Sequence, residues 1–560
     1  MEFKKRSRWI DGHKIVSEKN GLFMKIGWKI PLHPVFKFIL LIFFGISLFA
    51  VYYFLSYHFK NDSDEAVMPL EAEDILSGNI LLRGWTLPAD HFYPIDTMFH
   101  LVVLLLGGTF RRSMHLVPAI IYTMIVLTSC YLVFLASKEK FSKWEKFLGI
   151  ISTFFFIAFP IQLAARWVSY SPDHIGTLLY GLIAILFLFR FLAIQSTNST
   201  KISLFFFGFF LFLGNIGDPL SIYLMNIPLI LVSLFILSRD QNIPLKIAIS
   251  KILAIVFLNA LLATILHHNY SGWAFSVAGP TPKFVGIENL GHNVFLFFQS
   301  VLGLFGADFF GLNPASLQSL SALVHLMVLV FFIVLLISII KKISNPNDYF
   351  QSNSIPVIYL ELILVFSIFI SFLSFIFSNF PLDIDSSRYL FWVPVQAGIL
   401  IGINISKIGY LILSKKPLIK IFFILIFMVY GGSFLILEHP FSRVMQPYDP
   451  VVKYLLAHNM KEGFGTYWGG NIITVLSNGK IKCRSTQFNG KHIIPYRWAS
   501  KDDWYKMTHP DFFVFNHNSI AFGVDKNTIL RDFGPPSEEA SINGYTILYW
   551  KHRIVLHGEK

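Results

Sequence analysis

The sequence predicts a polytopic α-helical membrane protein of about eleven transmembrane helices, followed by a small extracytoplasmic α/β domain. Three observations predict it. Mean hydropathy is +0.59, with 54% hydrophobic and only 14% charged residues, which is a membrane rather than a soluble composition. Apolar runs of about 20 residues, long enough to cross hydrocarbon, recur between short polar loops up to residue 440. Beyond that point short alternating segments and turn signals replace the apolar runs.

The elements follow in order. The leader, residues 1–35, is basic (Lys4, Lys5, Arg6, Arg8, Lys14, Lys19, Lys25) and is expected in the cytoplasm. It has no small-residue cleavage site, so the first apolar helix is read as retained. Its end, residues 21–34, could lie in the interface as an amphipathic segment. The first span, near 36–57, carries the chain outside. The next apolar run, Met98–Gly107, is too short to span and is read as a surface helix. The second span, near 115–136, then returns to the basic SKEKFSKWEK. The same parity places spans near 147–163, 175–194, 203–214, 220–237, 247–266, 319–340, 356–377, 390–406 and 418–437. A further amphipathic helix is expected at 293–305. A transmembrane domain over 36–440, with a first outer loop at 58–112, thus precedes an outer domain at 441–560. That tail reads as a helix near 449–460, then the strand-like NIITVLSNGKIKCRS with a hairpin signal at SNGK, then strands at DFFVFN and YTILYWKHR.

Several classes are excluded. The net charge of +13 sits largely in short loops, where it orients spans and meets anionic headgroups. No long basic patch with interleaved aromatics lies outside the apolar part, so no nucleic-acid partner is expected. Cys130 falls in an apolar span and Cys483 in the polar tail, so they are not expected to pair. The tail holds no phosphate-binding glycine loop, dinucleotide fingerprint or nucleophile elbow.

The densest acids of the apolar part lie between Asn61 and His100: Asp62, Asp64, Glu65, Glu71, Glu73, Asp74, Asp90 and Asp96. Asp64-Glu65, just past the first span, could serve as a general base beside lipid, or simply as helix-start acids. Asp173 stands where the second outer loop enters a span, with Arg166 and Trp167 close by; Pro172-Asp173 is equally an ordinary helix start. Arg388-Tyr389 lies at an outer span mouth near Asp383 and Asp385. Arg388 could snorkel there or grip phosphate with its fork. Arg83, Arg111, Arg112 and Lys283 are further outer cations, which together suit a phosphate-linked lipid. His91, His267, His268 and His292 could hold a divalent metal with loop acids, but no HExxH-type spacing supports this. The expectation is therefore no cofactor, with a metal left open. Asp218, in Gly217-Asp218-Pro219, reads as a helix cap.

In their order these pieces resemble the GT-C superfamily of membrane glycosyltransferases. The closest likeness is to the bacterial branch related to protein O-mannosyltransferases and the lipid A aminoarabinose transferase. The matching pieces are Asp64-Glu65-Ala66 in the first outer loop, with a helical run closing on Gly78; a Pro-initiated surface helix from Pro94 to Gly107, with an Arg after it; Pro172-Asp173 leading into a span; and Arg388-Tyr389 at a late span mouth, with Pro394 within that span. The resemblance covers residues 36–440. Two places depart from the pattern: Met68-Pro69 after the first motif, and Ile95-Asp96 before the surface helix.

The resemblance implies a polyprenyl-phosphate sugar donor and transfer, with inversion, to a glycan, lipid or protein acceptor at the outer face. It implies Asp64 as the base, Glu65 as its orienting partner and Arg388 on the donor phosphate, with Asp173, Tyr389, Arg83, Arg111, Arg112, Lys283 and His91 around the substrates. It also implies a multi-pass inner-membrane location with a periplasmic tail. The competing readings are a transporter or lipid flippase, which places ionisable groups near the bilayer midplane, and a membrane-anchored binding protein. Charges grouped in outer loops favour the transferase.

Overall fold

The computed structural model describes residues 34–137, 141–171, 173–193, 197–239, 242–344, 354–414, 417–516 and 522–557. The basic leader and the interfacial segment expected at 21–34 thus lie outside the described residues, apart from Pro34. The chain divides into two compact units, 1–44 and 45–560. The second holds the outer loops and the tail.

Every expected span falls on a helix. Among the described residues, eight helices are long and apolar enough to cross a membrane, and nine if the turn Ile384–Leu390 and the helix after it, bent by 43°, count as one. The expectation of eleven adds two helices to these. The Lys143–Ala158 helix has 16 residues, short for a span, and opens with Lys143, Glu145 and Lys146. The last apolar helix, Pro417–Leu437, has 21 residues.

Helix α1 (Pro34–Ser56) ends at the outer loop, and α2 (Ser63–Leu76) begins there. Asp62 caps α2 by accepting the Asp64 and Glu65 amides, while Glu65 reaches back to the Asp62 N–H, which completes a capping box. The expected surface helix is α3 (Asp96–Leu105), and the second span is α4 (Phe110–Ala136). The expected amphipathic helix is Ile287–Leu304.

Two spans approach closely through small residues. On Trp392–Ser414, Gly398, Gly402 and Ser406 repeat at intervals of four and face Gly149, Thr153 and Ile157 of Lys143–Ala158. The Thr153 hydroxyl donates to the Gly398 carbonyl at 3.2 Å. Helices in lipid gain nothing from burying apolar side chains against one another, so close backbone approach carries their association.

The tail is a six-stranded mixed sheet of order β5-β4-β3-β7-β9-β8, where β3 is Glu462–Thr466, β4 Lys482–Phe488, β5 Ile493–Pro495, β7 Phe512–Asn516, β8 Glu538–Ile542 and β9 Tyr545–Tyr549. The expected helix is Asp449–Ala457, and DFFVFN and YTILY are strands β7 and β9. NIITVL is not a strand: it lies in the helix Tyr467–Leu476. Because β3 and β4 pair in parallel, a crossover must join them, and this helix is that crossover. The SNGK signal is real but turns helix into strand, with Asn478 and Gly479 both at positive φ.

A second, three-stranded sheet joins distant parts of the chain. Its centre is β1 (Trp85–Leu87) of the first outer loop, flanked by β2 (Ser276–Val277) and by β6 (Ser500–Lys501) of the tail. The crossover helix packs on α2, and Arg111 at the start of α4 forms a two-pronged ion pair with Asp449, both contacts at 2.9 Å. The tail is therefore docked on the first outer loop.

A Cβ at residue 402 would overlap the Thr153 hydroxyl oxygen and stand 2.8 Å from the Gly149 carbonyl. Gly402→Ala should therefore force the two spans apart at a cost of about 1–3 kcal/mol, read as a lowered thermal midpoint of the detergent-purified protein. The exposed-face substitution Phe331→Leu should leave the midpoint unchanged.

Candidate active site

The ends of four segments meet in one place: the α1–α2 turn, the loop entering the helix Ile175–Ala193, the turn Ile384–Leu390 and the crossover helix of the tail. Their side chains interact directly. Tyr170 donates to Asp62 at 2.6 Å, and the Tyr467 hydroxyl donates to Asp64. Asn61 donates to Glu65 at 2.8 Å. Arg388 Nε stands 3.6 Å from Asp173.

The local folding that places these groups is readable residue by residue. Asp62 holds the first turn of α2, which projects Asp64 toward the tail while Glu65 turns inward and is buried. Ser63 donates to the Tyr467 carbonyl at 2.6 Å, locking the two helix starts together. His174 follows Asp173 in the left-handed backbone region, at φ 62°. That conformation costs a non-glycine residue on the order of 1 kcal/mol. Its imidazole is held by Asp218 at 2.6 Å, and Thr177 donates to the same carboxylate oxygen at 2.8 Å. Asp218, expected only to cap a helix, does receive the Leu220 amide, but it also anchors His174. Trp167 donates to Ser387 at 2.8 Å, and Trp392 to the His174 carbonyl at 3.3 Å, fixing the arginine-bearing turn against the Asp173 loop.

Burial governs the electrostatics. It pushes the Asp64 carboxyl up to about 7; Asp62 and Asp173 add repulsion, while the Tyr467 hydrogen bond and Arg388 act in the opposite sense. Asp173 is likewise raised to about 7, by burial first, against the pull of Arg388 and His174. Glu65 is raised well above the usual carboxyl range by burial and by Asp62. For His174, burial favours the neutral ring, but the Asp218 charge and hydrogen bond prevail, with Asp90 and Asp173, and lift it to about 9. The site thus holds carboxyls that change charge near neutrality beside fixed cations. This is the electrostatic pattern of a proton-accepting site.

The other expected residues are placed as follows. Tyr389 lies with its ring 5.2 Å from the Arg388 guanidinium and 5.4 Å from His174. Asp385, expected beside Arg388, instead takes both prongs of Arg166 at 2.6 and 3.1 Å. The charge of Arg111 is matched by Asp449. Arg83 is exposed and donates to the Trp273 carbonyl at 3.2 Å, and Arg112 and Lys283 are exposed. His91 is buried among His267, Tyr270 and Phe275, and burial holds it well below the usual imidazole range. Among the described residues, His91, His267, His268 and His292 form no group of three metal-ligating side chains with an acid.

Sequence alone did not single out Tyr170 and Tyr467 as participants. Asp62 stood only among the acids of the first loop, and His174 only beside Asp173 at a loop end. Asp96, left without a role, is buried, receives the Ser171 hydroxyl at 3.0 Å, and lies against Gly176 in the first turn of Ile175–Ala193. A carboxylate there complements that helix terminus.

No protein-family model matches the sequence, and no curated protein matches it either. Solved structures do. ArnT from Cupriavidus metallidurans superposes with a TM-score of 0.50 at 11% identity over 91% of this chain and 98% of that one, in the apo state. ArnT bound to undecaprenyl phosphate gives 0.50 and 11%, over 92% and 98%. The apo Archaeoglobus fulgidus oligosaccharyltransferase gives 0.48 and 12%, over 84% and 69%. The chain therefore shares its fold with ArnT. In this fold the tail covers the loop after α1, so Tyr467 of the tail reaches Asp64.

Proton uptake by Asp64 has a defined sign. If its ionised form is the active one, turnover rises with pH through a midpoint near 7 and levels above it. The Tyr467 hydrogen bond stabilises the ionised form, so Tyr467→Phe should move that rising limb to higher pH. A pH–rate profile of the two proteins checks this.

Proposed function

We propose that this chain is a glycosyltransferase that moves a sugar from a polyprenyl-phosphate donor to an acceptor at the outer membrane face, with inversion at the anomeric carbon. The observation that carries the reading is the meeting of Asp64, Asp173 and Arg388, from three separate segments, at one site. A transporter would instead need its ionisable groups arranged along a path near the midplane.

In this reading the acceptor hydroxyl lies against Asp64. Tyr467 occupies Asp64 Oδ1, so the other oxygen takes the proton as the acceptor oxygen attacks the anomeric carbon. The bond from that carbon to the phosphate oxygen breaks, and the lipid phosphate leaves with the electron pair. Arg388, with part of its side chain exposed, neutralises the departing charge, while Asp173 behind it holds the guanidinium in place. The buried His174–Asp218 pair keeps the Asp173 loop in its strained turn. Glu65 orients rather than reacts, since it binds Asn61 and the Asp62 amide and so fixes the turn that carries Asp64.

One feature supports a lipid-linked donor. The similar ArnT has been solved bound to undecaprenyl phosphate. On the acceptor side, Tyr467 meets Tyr496, Trp498 and Phe522 at centroid distances of 5.3–5.4 Å, an aromatic wall contributed by the tail.

The test is release of labelled sugar from a set of polyprenyl-phosphate sugars by the purified protein. Asp64→Asn keeps the size of the side chain and loses the base, so turnover should fall by at least about 100-fold, the scale of general-base catalysis. Equal turnover in both proteins rejects Asp64 as the base. No donor consumed by the wild type rejects the transferase reading.

A further inference from the structure

Far along the tail from Asp64 in sequence, His492, Asp532 and His557 bring their ligand atoms within 4.8 Å of one another, the only such group of three among the described residues. They come from three separate pieces of chain. His492 immediately precedes β5, Asp532 lies on the helix Lys526–Phe533, and His557 is near the end of the chain, where its amide donates to the Ile493 carbonyl at 3.3 Å.

We propose that these three side chains form a binding site for a divalent transition-metal cation that clips the end of the chain to the β5 edge of the sheet.

The spacing of His492 and Asp532 fits an ion between them. His492 Nδ1 stands 3.4 Å from Asp532 Oδ1. A charge-assisted hydrogen bond between these groups would close to about 2.7–2.9 Å. Two ligands each about 2.0–2.1 Å from a tetrahedral ion stand about 3.3 Å apart. The observed gap therefore matches co-ligation better than a direct bond. The His557 ring stacks on that of His492 at 3.7 Å between centroids, so it turns about its side-chain bonds, which its exposure permits, to aim a nitrogen at a shared ion.

The carboxylate is also preorganised. Asp532 Oδ2 receives the Ile493 amide at 2.5 Å, and Oδ1 receives Arg531 Nε at 3.1 Å. Ligating carboxylates are commonly oriented by such outer hydrogen bonds. Arg531 is itself fixed by the Lys491 carbonyl at 2.6 Å and by the Phe488 ring at 5.1 Å. Its positive charge opposes the cation and weakens binding at the site. Two imidazoles and a carboxylate select zinc-like ions over magnesium or calcium, and leave an open position for water.

The experiment is a zinc titration of the full-length, detergent-purified protein carrying no polyhistidine tag, read by calorimetry and by thermal midpoint. Wild type should bind one zinc per chain and melt higher when zinc is present. His492→Ala and His557→Ala should each weaken binding at least tenfold and lose the zinc-dependent rise. Should either alanine variant fail to fold, His557→Gln takes its place, and cobalt substitution in the wild type should give the visible bands of a four-coordinate nitrogen–oxygen site. No zinc bound by wild type, undiminished binding in both histidine variants, or an aquo-type cobalt spectrum would overturn the proposal.

Discussion

Asp62, Asp64, Glu65 and Asp173 repel one another across a space they share with the Arg388 guanidinium. Carboxylates taken out of water need partners or must keep their protons. Much of the local structure supplies those partners: Tyr170 for Asp62, Asn61 for Glu65, Tyr467 for Asp64 and Arg388 for Asp173. The donors come from every segment that meets at the site, so satisfying the acids and assembling the site are the same event. The compensation is incomplete, which leaves two carboxyls, Asp64 and Asp173, raised to about 7.

This explains why the tail is part of the site-bearing unit rather than an appendage. Its crossover helix lies on α2, its strand β6 extends the small sheet centred on β1, and Asp449 matches Arg111. The cation that the sequence offered for phosphate at Arg111 is thereby used to hold the two parts together. Arg388 remains the cation whose carboxylate partner is itself inside the site.

Most of the helical architecture was legible, because apolar runs of span length leave few alternatives. The short surface helix α3 followed from length alone. NIITVL was misread because a run of β-branched residues suits a strand locally, while the parallel pairing of β3 with β4 demands a helix between them. The acids of the first loop and Arg388 were legible as candidates through their residue types and positions at span mouths. Their partners were not. Tyr467 lies 403 residues from Asp64, Tyr170 lies 108 from Asp62, and His174 and Asp218 are joined only by the fold. Nothing local marks a tyrosine at a helix start in a soluble-looking tail as the partner of a membrane-loop aspartate.

Proton acceptance at Asp64 and phosphate binding at Arg388 are separate roles in the proposed reaction. The measurement that tests this separation most directly is the affinity of the purified protein for undecaprenyl phosphate in Asp64→Asn and Arg388→Ala, each against wild type. Separate roles predict at least tenfold weaker binding in Arg388→Ala, and affinity at or above the wild-type level in Asp64→Asn, where one repelling charge is gone. Unchanged affinity in Arg388→Ala, or loss of binding in a folded Asp64→Asn protein, would contradict them.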